Sequence, residues 1–170
     1  MSVVVLSGNP RSGSRTLKAA LGVAEQLSGA GPDRVVELSG LGPALLAPGD
    51  PAVAEAAAAV TGASLLVVAS PTYKASYTGL LKVFLDGLPS GGLAGVTAVP
   101  LMLGAHWRHA LAPELLLKPV LVELGATVPA RGLFLLDSAY EDSPELASWL
   151  HAARRQVTAS VASLAEPAAS

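Results

Sequence analysis

The chain has 170 residues, 13 acidic and 11 basic, for a formal charge of −2 with its histidines neutral. Apolar residues make up 51% and charged ones 14%, which excludes a disordered chain and fits one domain with a substantial core. The near balance of charge gives no reason to expect nucleic acid or an anionic membrane as partner. The lack of cysteine removes disulfides, thiol nucleophiles and thiolate metal sites, and points to a cytoplasmic protein.

Val3–Leu6 is a short β-branched run ended by Ser7-Gly8-Asn9-Pro10, the pattern of a fully buried strand. From about Ser14 to Leu27, Leu17, Ala20, Leu21, Ala24 and Leu27 recur at helical spacing, and Gly29-Ala30-Gly31-Pro32 stops that helix. Arg34–Leu38 reads as a second strand and Ser39–Pro51 as a Gly/Pro-rich loop. Asp50 is placed to cap a helix that opens on Pro51 and runs to about Val60.

Ser64–Ala69 is a third apolar strand, followed by a polar stretch and a helix over roughly Thr78–Leu88. Strand four is Val96–Leu103. A helix over about Leu111–Leu124 follows, in which Pro119 predicts a kink or local bulge. Arg131–Leu136 is strand five, and Ser143 caps a last helix opened by Pro144 and Glu145. Gly87–Trp107 carries no charge and is about as long as the ~20 residues a spanning helix needs, but its glycines and prolines break it into turn, strand and turn. Alternating strands and helices, with strands apolar throughout, predict a parallel sheet covered on both faces. Residues 1–165 read as a single domain and 166–170 as a frayed tail.

In such a sheet, ligands bind at the carboxyl ends of the strands, and three loops there hold the unusual residues. The first, Gly8 to Thr16, has the chemistry of an anion cradle: glycines for close backbone approach, hydroxyls, the Arg11 fork, and a helix start behind them. No acidic residue occurs before Glu25, so the loop reads as locally positive; the plainer alternative is an ordinary capped turn. Gly8 and Gly13 match the triphosphate motif GxxxxGK[ST], but Ser14 stands in place of its lysine, and GxGxxG is absent. A single terminal phosphate, as in a mononucleotide, fits better. The second loop, Pro71 to Tyr77, offers amides, an aromatic ring and a cation to a flat ligand. The third runs from Gly104 to His109.

Gly8-Asn9-Pro10-Arg11 with Ser14 and Thr16, followed by Ser70-Pro-Thr-Tyr-Lys-Ala-Ser-Tyr-Thr-Gly-Leu-Leu-Lys-Val-Phe-Leu-Asp86, resembles the NAD(P)H-dependent FMN reductase family of flavodoxin-like fold. With Leu117-Lys118-Pro119-Val120-Leu121, the likeness covers roughly residues 2–140. It is nearest the branch that supplies reduced flavin to two-component monooxygenases, such as the alkanesulfonate monooxygenase reductases. The resemblance implies an α/β three-layer sandwich with a five-stranded parallel sheet in the order 2-1-3-4-5. It implies FMN as cofactor, NADPH or NADH as hydride donor to flavin N5, and a partner monooxygenase. Site residues follow position by position. Gly8, Asn9, Pro10, Arg11, Ser14, Arg15 and Thr16 would form the phosphate loop, with Arg11, Ser14 and Thr16 holding the phosphate. Pro71, Thr72, Tyr73, Lys74, Ala75 and Ser76 would line the isoalloxazine, and Gly104, Ala105 and His106 would approach the ring or ribityl chain. The cofactor carries the chemistry, so no protein nucleophile or base is required. Lys74 either favours the charge of reduced flavin electrostatically or points to solvent.

Two other enzyme classes are set aside: His106 and His109 lack a third metal ligand, and no GxSxG elbow is present. The apolar residues of Leu111–Leu124 and Thr78–Leu88 cover more surface than one sheet face can hide, which predicts a homodimer or homotetramer. Rival readings are an FMN-containing quinone, azo-dye or metal-ion reductase and a flavodoxin-type electron carrier. Carriers of that kind are strongly acidic, unlike this chain.

Overall fold

The computed structural model describes residues 1–165; the tail expected at 166–170 lies outside the described residues. Five parallel strands, β1 (Val3–Ser7), β2 (Arg34–Glu37), β3 (Leu65–Pro71), β4 (Thr97–Gly104) and β5 (Leu133–Leu136), form one sheet. Their order is β2-β1-β3-β4-β5, as the resemblance implied. Each central strand is buried on both faces, and its alternate residues feed two separate cores. Val3, Val5, Leu65, Val67, Leu101 and Leu103 pack against α1 (Arg15–Ser28) and α5 (Pro144–Ala165). Val4, Leu6, Leu66, Val68 and Met102 pack against α2 (Pro51–Thr61), α3 (Gly79–Asp86) and α4 (Lys118–Glu123).

The two caps read from the sequence are made: Asp50 Oδ1 accepts from Ala52 N–H (2.9 Å) and Ser143 Oγ from Leu146 N–H (3.2 Å). Ser14 adds a third, its Oγ accepting from Leu17 N–H (3.2 Å). Gly29 ends α1 at φ 80°, where a side chain would be strained. Some boundaries differ. Leu38 leaves β2 to begin a short 3₁₀ turn, and a second such turn over Gly42–Leu46 occupies part of the expected loop. Strand five starts at Leu133 rather than Arg131, whose carbonyl instead accepts from Trp149 Nε1 (2.6 Å).

The helix expected over Leu111–Leu124 is two pieces: a π turn over Pro113–Leu117 that passes into α4. Pro119 accounts for it. With no N–H, it cannot donate to the Leu115 carbonyl, and its ring would strike that carbonyl in a regular α-turn, so the preceding turn widens. Glu114 locks the widened turn to the sheet, accepting from Gly132 N–H (2.6 Å) and Lys118 Nζ (2.9 Å). Burial works against its ionisation, but these two donors outweigh it and hold its carboxyl below the ordinary range. Gly132 has to be glycine here, since a Cβ would sit 2.7 Å from the Glu114 nitrogen.

Candidate functional site

The parallel registers, Ser7 beside Ala69 and Pro71 beside Leu103, bring the loops after β1, β3 and β4 side by side at the carboxyl edge of the sheet. All three sequence-predicted clusters therefore lie together at the carboxyl ends of the strands, where ligands bind in an open parallel sheet.

In the first loop, Gly8 is buried against Leu81 of α3, where a Cβ would lie 2.6 Å from the Leu81 Cβ. Gly8 N–H donates to the Ala69 carbonyl (2.8 Å), which continues the sheet one residue past β1. Asn9 is buried and shapes the turn from within: its Oδ1 accepts from Arg11 N–H (2.9 Å), and its Nδ2 donates to Thr16 Oγ1 (3.0 Å). Thr16 is itself buried, so its hydroxyl braces the loop instead of facing solvent. Pro10, Arg11, Ser12 and Gly13 are exposed, with Gly13 at φ 61°.

The start of α1 carries no acidic residue, and the amides of Ser14, Arg15 and Thr16 take no acceptor from the described residues. Arg11 makes no side-chain ion pair among the described residues. Arg15 does. Its guanidinium donates to the Asp137 carbonyl (2.9 Å) and lies 3.4 Å from the Asp137 carboxylate, turned toward the end of β5.

The expectation of a purely positive loop is corrected by Glu37. Its position beside Ser7 in the β1–β2 register swings a carboxylate under the loop, where it accepts from Ser12 Oγ (3.1 Å) and Gly13 N–H (2.9 Å). Nothing in the local sequence of the loop announces this contact, because only the strand pairing creates it.

The second loop is a tight hairpin standing out from the sheet. Tyr73 and Ser76 exchange backbone bonds (2.8 and 3.1 Å), and the two residues between them, Lys74 and Ala75, both have positive φ, at 51° and 67°. That is the type I′ arrangement, for which glycine and asparagine are the usual occupants. Holding two other L-residues there costs about 1–2 kcal/mol each, so the surroundings fix a shape the local sequence resists. Tyr73, Lys74 and Ala75 are exposed, while Pro71, Thr72 and Ser76 are half-buried.

The base of the hairpin is pinned. Buried Ser70 Oγ accepts from Thr78 N–H (3.0 Å) and donates to the Pro71 carbonyl (2.9 Å). Thr78 caps α3 and donates its hydroxyl to the Gly8 carbonyl (2.6 Å), tying the second loop to the first. Neither serine nor threonine stood out in the sequence as a link between loops.

In the third loop, Gly104 is buried. A Cβ on it would lie 2.8 Å from Phe134 Cζ and 3.0 Å from Thr72 Oγ1. The Thr72 hydroxyl is buried with no hydrogen-bond partner among the described residues. Ala105 and His106 are exposed, and Trp107 leans on Phe134 with ring centroids 5.6 Å apart. Beyond Trp107 a separate cleft of about 490 Å³ opens along β5 toward Trp149 and Glu145. It contains no residue of the first two loops. Among the described residues, no group of three acidic or histidine side chains is placed to hold a metal ion.

Comparison with known proteins gives the same direction. The family model for NADPH-dependent FMN reductases matches residues 1–141. The chain is 36% identical over 150 residues to an FMN reductase (NADPH) of Escherichia coli K12, covering 84% of this chain and 76% of that protein. It is 33% identical over 149 residues to the NADH-dependent FMN reductase SfnF of Pseudomonas fluorescens Pf0-1, covering 84% and 80%. Among solved structures, the apo form of an NADH:FMN oxidoreductase (EMOB) superposes with a TM-score of 0.83 at 36% identity, covering 98% of this chain and 91% of that one.

Proposed function

Because the chain belongs to the NADPH-dependent FMN reductase family, oxidoreductases that use FMN with NADPH or NADH, we propose that it takes FMN as an exchangeable substrate and hands reduced FMN to a partner monooxygenase in the cytoplasm. The observation that carries this reading is the first loop. It sets an exposed Arg11, without an ion pair among the described residues, in the same loop as the amides of Ser14, Arg15 and Thr16, which take no acceptor from the described residues. The Escherichia coli and Pseudomonas relatives are FMN reductases by name, and SfnF is named as NADH-dependent.

The residues present fit FMN. The helix start and Arg11 suit a phosphate monoester, and Gly104 lets the chain close on Phe134 and on the Thr72 hydroxyl, a buried polar group without a partner among the described residues. Arg11 and the three amides hold the phosphate, while the Asn9–Thr16 pair keeps the loop in shape to do so. Gly8 and Pro10 set the turn, and Arg15 contributes its backbone while Asp137 occupies its side chain. The hairpin Pro71, Thr72, Tyr73, Lys74, Ala75 and Ser76 lines the ring with backbone amides. Gly104, Ala105 and His106 bound it from the β4 side. When bound, FMN supplies the redox chemistry by accepting a hydride from the nicotinamide. Lys74, exposed at the hairpin tip, offers an ammonium toward the charge that reduction creates. No helix among the described residues is long and apolar enough to cross a membrane.

The test is NADPH and NADH oxidation by protein of known flavin content, with and without added FMN. Rates that rise and saturate with added FMN are expected. Turnover indifferent to added FMN but dependent on a quinone or dye would overturn the reading in favour of a reductase with fixed flavin.

We also propose that two or four copies assemble through the helical layer that contains α4. Leu111, Leu115, Leu116 and Val122 lie outward and exposed, whereas Leu117 and Leu121 fill the core. Helix α3 contributes less than its sequence suggested, since Leu81, Phe84 and Leu85 are buried and Val83 alone is exposed among its large apolar residues. Leu116→Glu is expected to shift the protein toward monomer in sedimentation velocity with its melting temperature little changed; an unaltered assembly state removes this surface from the interface.

A further inference from the structure

We infer that Glu37 is a specificity-determining residue that loosens the hold of the Gly8–Thr16 loop on phosphorylated flavin. The inference rests on the assignment of that loop to the FMN phosphate.

The β1–β2 register sets Glu37 beside Ser7, the last residue before the loop. From there its carboxylate takes the Gly13 N–H (2.9 Å) and the Ser12 hydroxyl (3.1 Å). Both are donors of the kind an anion cradle presents to its ligand. Glu37 is half-buried and makes no ion pair among the described residues, so its charge is not cancelled by a cation of its own. Of the loop's cations, Arg15 is already engaged by Asp137. Arg11, the other cation of the loop, makes no ion pair among the described residues.

A phosphate monoester carries about −1.5 to −2 charges near neutral pH. Entering this loop, it meets a like charge and a competitor for two donors. Riboflavin, which lacks the phosphate, meets neither. Glu37 therefore lowers affinity for FMN selectively, which favours exchange of the flavin over permanent retention. A purely bracing role for Glu37 has the opposite signature, because loss of the brace would weaken FMN or leave it unchanged.

The experiment titrates apoprotein with FMN and with riboflavin, following quenching of flavin fluorescence, for wild type, Glu37→Gln, Glu37→Ala and Arg11→Ala. Melting curves confirm that each variant is folded. Glu37→Gln keeps the size and an acceptor for Gly13 N–H while removing the charge. It is expected to tighten FMN about two- to fivefold, the scale of exposed charge–charge effects, and to leave riboflavin unchanged. The gain should shrink at high salt, where the screening length falls to about 3 Å at 1 M. Glu37→Ala should move FMN in the same direction. If Arg11→Ala weakens FMN but neither Glu37 variant tightens it, the role given to Glu37 is wrong while the phosphate site stands. If Arg11→Ala leaves FMN unchanged as well, the assignment of the loop fails, and the inference with it.

Discussion

Arg11→Ala is expected to weaken FMN binding by about 1.5–3 kcal/mol, roughly a ten- to 150-fold rise in Kd, the usual worth of a charged hydrogen bond. The side chain is exposed and has no ion-pair partner among the described residues, so its removal costs the fold little. Its backbone N–H, held by Asn9 Oδ1, stays in place. The loss should therefore fall on the ligand alone. Riboflavin gives the control, since a phosphate contact cannot affect a flavin without phosphate. Calorimetric titration of the apoprotein with both flavins checks this, and an FMN affinity that survives the change would take Arg11 out of the phosphate site.

Gly8→Ala is expected to act on the fold and the site together. Its Cβ would lie 2.6 Å from the Leu81 Cβ, and that atom is fixed to the α3 backbone within a fully buried side chain. A rotamer change cannot relieve such a clash, so the loop and α3 have to part. Parting them strains or breaks the bond from Thr78 Oγ1 to the Gly8 carbonyl, which joins the first loop to the second. Overpacking of this kind costs about 1–3 kcal/mol, set against a total stability of about 5–15 kcal/mol for a small protein. Urea denaturation should show a lowered midpoint. Unlike Arg11→Ala, this change should weaken riboflavin as well as FMN, because it displaces the hairpin along with the phosphate loop. A variant of normal stability and affinity would mean that the loop yields without cost.

Much of this was legible in the sequence because it is written locally. The strands declare themselves by unbroken apolar runs such as Val3–Leu6, and the helix starts by Ser14, Asp50-Pro51 and Ser143-Pro144. Pro119 announces the bulge that precedes α4. What escaped was everything that depends on strand pairing. Glu37 lies more than twenty residues beyond Gly13, and only the parallel register brings it there. The Thr78–Gly8 bond spans 70 residues for the same reason. The resemblance places Thr16 at the phosphate, while its bond from Asn9, a buried partner, is one that periodicity cannot reveal. The positive φ values of Lys74 and Ala75 likewise have no local signature, since neither is a residue that seeks such a conformation.

The two outer strands of the sheet, β2 and β5, are only four residues long, half the length of β4. Charge borders β2, where Arg34 pairs with Glu55 and Glu37 is drawn into the first loop. Beside β5, Trp149 takes up the carbonyl of Arg131, just before the strand begins. Short, charged or covered borders give a stray strand little to zip onto, which protects the protein from edge-to-edge aggregation and from domain swapping through the sheet. In the assembly proposed through the α4 layer, the five-stranded sheets are therefore expected to stay separate, with no hydrogen-bonded ribbon running from one copy to the next.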